Sequence, residues 1–350
     1  MQRGFGRKNR RIRRKKRIVM ITAIFCVCGI LAAGIYLWQK RAFAPDRQFA
    51  GFLAGLTGKN NAGKDAGAVP SLPPEQATPL PVPTPLPEPV VIAGRTVGER
   101  FNPPAGYTRV ALEKGSFGEY LRNYPLKDYG MPAYLWDGSV NEEAPTLGVF
   151  HQEITGRDWQ QCADAIIRLW AEYLYERGEF DKISFDFYTT PIFQCDYVSW
   201  ASGKRVHIRG NQCSWVDSDC GEDYSYETFR EYIDFVHRHA NTASLQKQMR
   251  RVPVSEISVG DVFVITREQM QEVLPDGEAK YGHAVIIVDM AVHEITGEKL
   301  YLIAEGNTPA TETYIMTNTE DPPGVWHRLT ADGSLKKGEW ICPGAYIRRF

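Results

Sequence analysis

From Ile18 to Trp38 the chain runs 21 residues without a charge, directly behind an arm, MQRGFGRKNRRIRRKKR, that holds ten Lys or Arg and no acid. At 1.5 Å rise per residue such a run spans roughly 30 Å, the hydrocarbon thickness of a bilayer, so a membrane-crossing helix is expected there. The ten positive charges lie before the run, and only Lys40 and Arg41 lie just behind it. That asymmetry orients residues 1–17 to the cytoplasm and everything after residue 38 to the outside. A cleaved signal peptide is the competing reading. It fits less well, because the run is long for a signal core and its end, GIYLWQKR, has no small-x-small cleavage pattern. The basic arm is expected to lie against anionic lipid. Taking its ten positive charges from a formal net charge of −1 leaves −11 on residues 18–350. An exported part of that sign offers no basic surface for nucleic acid.

Residues 39–94 read as a linker. Its second half carries nine prolines between Pro70 and Pro89, a density that removes backbone donors and favours extended polyproline II, about 3 Å per residue. A stalk that lifts a domain off the membrane explains it with fewer assumptions than a ligand for proline-reading domains does. The remainder, 95–350, is long enough for one large core and shows no internal repeat. Its strongest helix is expected over Asp158–Glu176, where Cys162, Ala165, Ile166, Leu169, Trp170, Tyr173 and Leu174 form an apolar stripe at helical spacing. Asp158 is the expected N-cap and Gly178 the stop. A second amphipathic helix is expected over Tyr226–His239 behind a Ser225 cap. Farther on, GDVFVIT, HAVIIVDMAV and KLYLIAEG are strand-like, the last two joined by a HEITGE turn. Helices first and an antiparallel sheet afterwards make an α+β domain.

Cys26 and Cys28 lie inside the apolar run, and Cys162, Cys195, Cys213, Cys220 and Cys342 lie beyond it. Five is odd, so one thiol is expected to stay free, and Cys162 is the choice; the pairing of the other four is left open. In NQCSWVDSDCGED a loop closed by Cys213 and Cys220 is favoured over a calcium site, whose full loop pattern is missing.

A cysteine hydrolase needs a thiolate, an imidazole to take and return its proton, and a polar group to orient that imidazole. Thiolates are stabilised at helix N-termini, and in DWQQCADAIIRLW Cys162 falls in the first turn of the strongest helix. The plainer reading makes Cys162 a small core hydrophobe on the same stripe. Downstream, Gly260-Asp261 heads a strand, Gly282-His283 opens the next, and Glu305-Gly306-Asn307 ends its partner. A hairpin turning near Thr296 returns Glu305–Pro309 beside His283, where an acid or amide fixes the second imidazole nitrogen. His283 beginning a well-packed strand and nothing more is the plainer alternative.

The ordered set Gln161-Cys162, Gly260-Asp261, Gly282-His283 and Glu305-Gly306-Asn307 resembles papain-like cell-wall hydrolases of the CHAP and NlpC type. That resemblance implies a papain-like domain with the cysteine-bearing helix packed on the antiparallel sheet. It further implies Cys162 as nucleophile, His283 as base, Glu305 or Asn307 as the group that orients it, and Gln161 as a helper of the oxyanion hole. The spacing departs from the pattern: about 100 residues separate Cys162 from Gly260-Asp261, so an insertion must fill the gap. The phrases RFNPPAGYTRV, SFGEYLRNYPL, RDWQQCADAIIRLWAEYLY, GDVFVIT, GHAVIIVDMA and TGEKLYLIAEGNTPA resemble the bacterial domain of unknown function 4846 over nearly all of residues 98–350. This second likeness supports one continuous domain and says nothing of chemistry.

The expected activity is therefore amide hydrolysis on cell-wall peptide by a membrane-anchored, extracytoplasmic enzyme. Acyl transfer to an amine is a variant of it, and a non-catalytic envelope-binding module with the same fold is the alternative. No zinc spacing, phosphate loop or Gly-x-Ser-x-Gly elbow occurs, and neither metal nor cofactor is expected. His237 and His239, two apart on a helix, make a poor metal pair, and His151 is expected to be structural. Tyr188, Tyr197, Trp200 and Trp215 are expected to serve the core rather than a binding wall.

Overall fold

The computed structural model describes residues 89–350 apart from 155, 275–276, 319, 321–323 and 338–339. The expected basic arm, the membrane helix and the stalk up to residue 88 lie outside the described residues. Among the described residues no helix is long and apolar enough to cross a membrane.

In chain order, helix α1 (Val97–Arg100), strand β1 (Tyr107–Arg109) and helix α2 (Phe117–Arg122) precede the main helix α3 (Cys162–Glu176). Next come the hairpin β2–β3 (Ser184–Phe187, Phe193–Asp196), α4 (Tyr197–Ala201) and the hairpin β4–β5 (Arg205–Arg209, Gln212–Val216). Helices α5 (Tyr226–His237) and α6 (Thr242–Gln248) follow, with β6 (Arg250–Arg251), β7 (Val262–Ile265) and α7 (Arg267–Val273) behind them. The last part is β8 (His283–His293), β9 (Lys299–Glu305), β10 (Tyr314–Ile315), β11 (Trp326–His327), β12 (Leu335–Lys337), β13 (Trp340–Cys342) and β14 (Ile347–Arg349). The domain is α+β. Its main sheet has eight strands, ordered β10-β9-β8-β7-β14-β6, with β1 added to β8 and β11 to β9, and its pairings are antiparallel.

Strand β8 explains why the sheet is central. Successive strand residues face opposite sides, and Ala284–Ala291 are all buried, so both faces of β8 are covered; α2 and α3 pack against it. The β8–β9 hairpin turns as expected, with Val292 paired to Lys299 and His293 N donating to Glu298 O at 2.8 Å. One acid interrupts the apolar run. Asp289, fully buried at a bulge in β8, accepts from Arg109 Nε at 2.7 Å and Arg122 Nη2 at 2.6 Å. It ties β1 and α2 to the sheet. Removing one side of such a pair leaves unneutralised buried charge, which costs about 3 kcal/mol or more. Asp289→Ala is expected to lower the melting temperature by about 10 °C; a calorimetric shift below about 2 °C rules this role out.

Between α3 and β7 the chain runs through β2 to β6, with α4, α5 and α6. Gly260 and Asp261 close that segment structurally. Gly260 has φ +93°, and fully buried Asp261 accepts from Ser258 N at 2.8 Å and from Arg349 Nη2 at 2.7 Å, clamping β14 beside β7.

Several expectations need correction. Helix α3 begins at Cys162 with Gln161 as its N-cap, not at Asp158. The Asp158 carboxylate is taken instead by Ala310 N at 2.7 Å and Gln161 Nε2 at 3.1 Å, so it joins the helix entry to the chain beyond β9. Gly178, at φ +68°, does end α3. Ser225 caps α5, which stops at His237, two residues early. Cys213 and Cys220 are free thiols, like the other three described cysteines. Their loop is held by Ser218, whose hydroxyl donates to Gly203 O at 2.6 Å and accepts from Cys220 N at 3.2 Å. Of the four aromatics, Tyr197 and Trp200 are core and Trp215 packs on Phe193, whereas Tyr188 is exposed.

Candidate active site

Three elements meet at one end of the main sheet: the start of α3, the start of β8 and the end of β9. Cys162 is the first residue of α3, where backbone amides lack intrahelical acceptors and the helix dipole favours an anion. The helix entry is fixed by Asp164, whose Oδ2 accepts from Gln161 N at 3.1 Å. His283 opens β8 behind Gly282. A Cβ on Gly282 would stand 2.5 Å from the Ile265 carbonyl oxygen, so only glycine lets β8 begin this close to β7. Continuing the pairing of Ile286 with Ala304 puts Glu305 opposite Val285, diagonal to His283 and on the same face. Gly306 then lies against α3, where an added Cβ would meet Ala165 Cβ at 3.1 Å.

The side chains follow from that backbone. His283 Nε2 lies 2.9 Å from Glu305 Oε2, and Glu305, fully buried at its side chain, also pairs through Oε1 with Lys337 Nζ. With Nε2 so engaged, Nδ1 is the nitrogen left for Cys162, which hydrogen-bonds the same imidazole. Burial opposes charge on the Cys162 thiol. The His283 hydrogen bond and charge, with amide hydrogen bonds from Ala284 and Ala163, outweigh burial and hold the thiol below its ordinary value. Burial likewise opposes charge on His283, yet contact with Cys162 and then Glu305 raises it to about 10. Glu305 is held down to about 2 because His283 and Lys337 together overcome its burial. These directions favour charge on Cys162 and His283 as a pair, with the Glu305 carboxylate behind them.

Of the five residues singled out from sequence, Cys162, His283 and Glu305 come together. Gln161 lines the same cleft, with its side chain taken up: Nε2 donates to Asp158, and Oε1 accepts from Thr308 Oγ1 at 3.2 Å. Asn307 sits beside His283 and Glu305 in a hollow, its Oδ1 accepting from Thr308 N at 2.9 Å and its side chain bonding the Tyr314 hydroxyl. Glu305 is therefore the group seen on Nε2. Lys337, Asp164 and His237 also belong to the surroundings and were not foreseen. Lys337 arrives from β12 with no motif to mark it, and His237 was weighed only as a metal ligand.

A cleft of about 700 Å³ opens on the Cys162 side, lined by Trp159, Tyr188, His237, Arg238, Arg267 and Tyr281 among others. A hollow of about 550 Å³ lies on the His283 side with Glu305, Asn307 and Lys337. Lys280, Tyr281 and Gly282 line both. The segment between α3 and β7 thus supplies one wall of the cleft through Tyr188 and the end of α5. Among the described residues no cluster of His, Cys, Asp and Glu could hold a metal ion.

A family model, domain of unknown function (4846), matches residues 97–349, well over half of the chain. No curated protein and no solved structure matches.

Proposed function

The chain belongs to the family of the domain of unknown function 4846, and we propose that its described domain is a papain-like cysteine hydrolase that cleaves an amide bond. The observation that supports this most is the aligned set Cys162, His283, Glu305: a thiol at a helix start bonded to an imidazole whose far nitrogen is 2.9 Å from a buried carboxylate. His283 takes the Cys162 proton, and the thiolate adds to the substrate carbonyl carbon. The oxyanion forms against the first amides of α3, with Gln161 at its edge. Collapse releases the amine, protonated by the imidazolium, and water activated by His283 hydrolyses the thioester. Glu305 keeps the imidazole oriented and charged, and Lys337 keeps Glu305 ionised.

On this reading the membrane anchor expected from the sequence at 18–38 and the linker expected at 39–94 leave the enzyme acting outside the membrane. Cell-wall peptide is then the substrate of this reading, and anionic lipid the partner of the arm. The 5% exposure of Cys162 favours a second reading, a non-catalytic envelope-binding module in which the thiol is structural.

Iodoacetamide labelling of the Cys162 peptide across pH 5 to 9, read by mass spectrometry, separates the two. A thiol held below its ordinary value is alkylated with a midpoint under the free-cysteine value of about 8.5. His283→Ala moves that midpoint upward, since burial is then unopposed by an imidazolium. Cys162 left unlabelled until the protein unfolds refutes the hydrolase and leaves the binding module.

A further inference from the structure

Glu305 has a neighbour on each side in the sheet. Strand β9 runs between β8 and β10, so a side chain on one face of β9 is flanked from both. On the β8 side stands His283. On the β10 side Tyr314 is the direct antiparallel partner of Glu305, with Ile315 opposite Ala304. Directly opposed residues share a face, with their Cβ atoms about 5 Å apart. Tyr314 therefore rises on the face that carries His283 and Glu305, diagonal to Asn307. Strand β10 has only two residues, and the chain before it fixes its place: Phe150 N donates to Thr313 O at 2.8 Å, and Ile315 N to Gly148 O at 2.9 Å.

The strands thus place a hydroxyl as well as a ring. Tyr314 is 3% exposed and shares a small buried cluster with Ala133, Ala144 and Val149. A tyrosine buried that far needs a partner for its hydroxyl, and here the hydroxyl bonds both Glu305 and Asn307. A carboxylate only accepts, so the phenol donates to Glu305. Asn307 Oδ1 is taken by Thr308 N at 2.9 Å, which leaves the Asn307 amide to donate to the phenol oxygen. The phenol proton is thereby committed to the carboxylate, and a bond to an ionised acceptor is roughly twice as strong as a neutral one.

Three donors then share Glu305: His283 Nε2 on Oε2 at 2.9 Å, Lys337 Nζ on Oε1, and the phenol. His283 and Lys337 pull on the same carboxylate. The lysine is a point charge on a flexible stem that tolerates any twist of the carboxylate. A packed phenol ring sets one direction. His327, on β11 beside β9, is a further titratable group near Glu305, and its ring is engaged with Met316 O at 3.4 Å.

We propose that Tyr314 is a positioning residue of the site: its hydroxyl fixes the twist of the Glu305 carboxylate, so that Oε2 stays on His283 Nε2 instead of turning to Lys337. This rests on the hydrolase reading above and adds to it a residue that touches neither thiol nor imidazole. Without the hydroxyl the carboxylate turns toward the ammonium. The imidazole then loses part of its anionic support, and Cys162 part of the positive charge beside it.

The test is Tyr314→Phe, which removes one oxygen and keeps the ring on Ala133, Ala144 and Val149. Iodoacetamide labelling of Cys162 is followed against pH in the purified full-length chain by mass spectrometry of the Cys162 peptide, beside a thermal melt. The labelling midpoint is expected to rise by about half to one pH unit, roughly three- to tenfold less thiolate at each pH below it. An unchanged or lowered midpoint in the folded variant, whatever its melting temperature, makes the hydroxyl a core contact and overturns the proposal, while the hydrolase reading stands. Should Tyr314→Phe fail to fold, Asn307→Ala takes its place. That variant leaves the ring and frees its hydroxyl to turn, so the midpoint should again rise, by less, and no rise overturns the proposal. A wild-type Cys162 that stays unlabelled until the protein unfolds overturns both readings.

Discussion

In the proposed hydrolase, Cys162→Ala is expected to abolish peptide release from isolated peptidoglycan, by at least about 10⁴-fold in kcat, while the domain stays folded. The substitution removes the atom that would carry the acyl group in that mechanism, so no rearrangement of the cleft can restore the same route. Its structural cost is small by comparison. The side chain shrinks by one atom at the start of α3, and the cap interactions of Gln161 and Asp164 do not involve the thiol. A loss of about 1 kcal/mol, a few degrees of melting temperature, is the scale for such a change. His283→Ala should fall by a similar factor, and the double variant should be no worse than either single one, because the pair acts as a unit. Release from peptidoglycan measured by chromatography, beside a thermal melt of each variant, checks all three. Turnover above about 1% of wild type in folded Cys162→Ala removes Cys162 from the role of nucleophile.

Much of this arrangement was legible in the sequence because it is local. The 3.6-residue stripe in CADAIIRLWAEYLYE and the long apolar HAVIIVDMAV announce α3 and β8 from neighbouring residues alone. The short HEITGE turn fixes a register that brings Glu305 back to His283. Legibility ended where long-range partners decided. Asp158 is as good a cap as Asp or Asn ever is, yet it lost that role to Ala310 N, a donor 152 residues away in sequence. Spacing could not tell Glu305 from Asn307 as the histidine's partner, since both lie at the same strand end. Two residues apart, they face the same side, and only side-chain contacts decide: Glu305 reaches Nε2 at 2.9 Å, while Asn307 is taken up by Thr308 N and the Tyr314 hydroxyl. Lys337 was invisible because a lysine three strands later has no periodicity to mark it. His237 was misweighed because a helix wheel shows which way a side chain points, not what lies there.

Glu305→Gln is expected to cost both stability and rate, and pH separates the two. The wild-type carboxylate, with its side chain fully buried between His283 and Lys337, titrates near 2 in the folded domain and near 4.3 in the unfolded chain. A depressed carboxylate stabilises the folded state at every pH above its unfolded value. That contribution is lost as pH falls from about 4.3 through about 2. The glutamine keeps the volume but leaves Lys337 and the imidazolium without their counter-charge, a defect on the order of 3–5 kcal/mol for a buried pair broken on one side. Urea unfolding should therefore show the variant much weaker at pH 7, with the gap to wild type closing toward pH 2. A gap unchanged over that range means Glu305 is not held as an anion. The rate should move in the opposite part of the scale. His283, held up to about 10 in part by Glu305, falls back toward the ordinary 6.5 when the carboxylate goes. The cationic partner of Cys162 is then weakened, and its thiol rises. The pH range in which thiolate and imidazolium coexist shrinks from both ends, and kcat at pH 7 drops by about 10²- to 10⁴-fold, the range spanned when a triad's orienting acid is neutralised. Restoring activity only by raising the pH would show that the thiolate alone suffices, and His283 would then be an electrostatic support rather than a proton carrier.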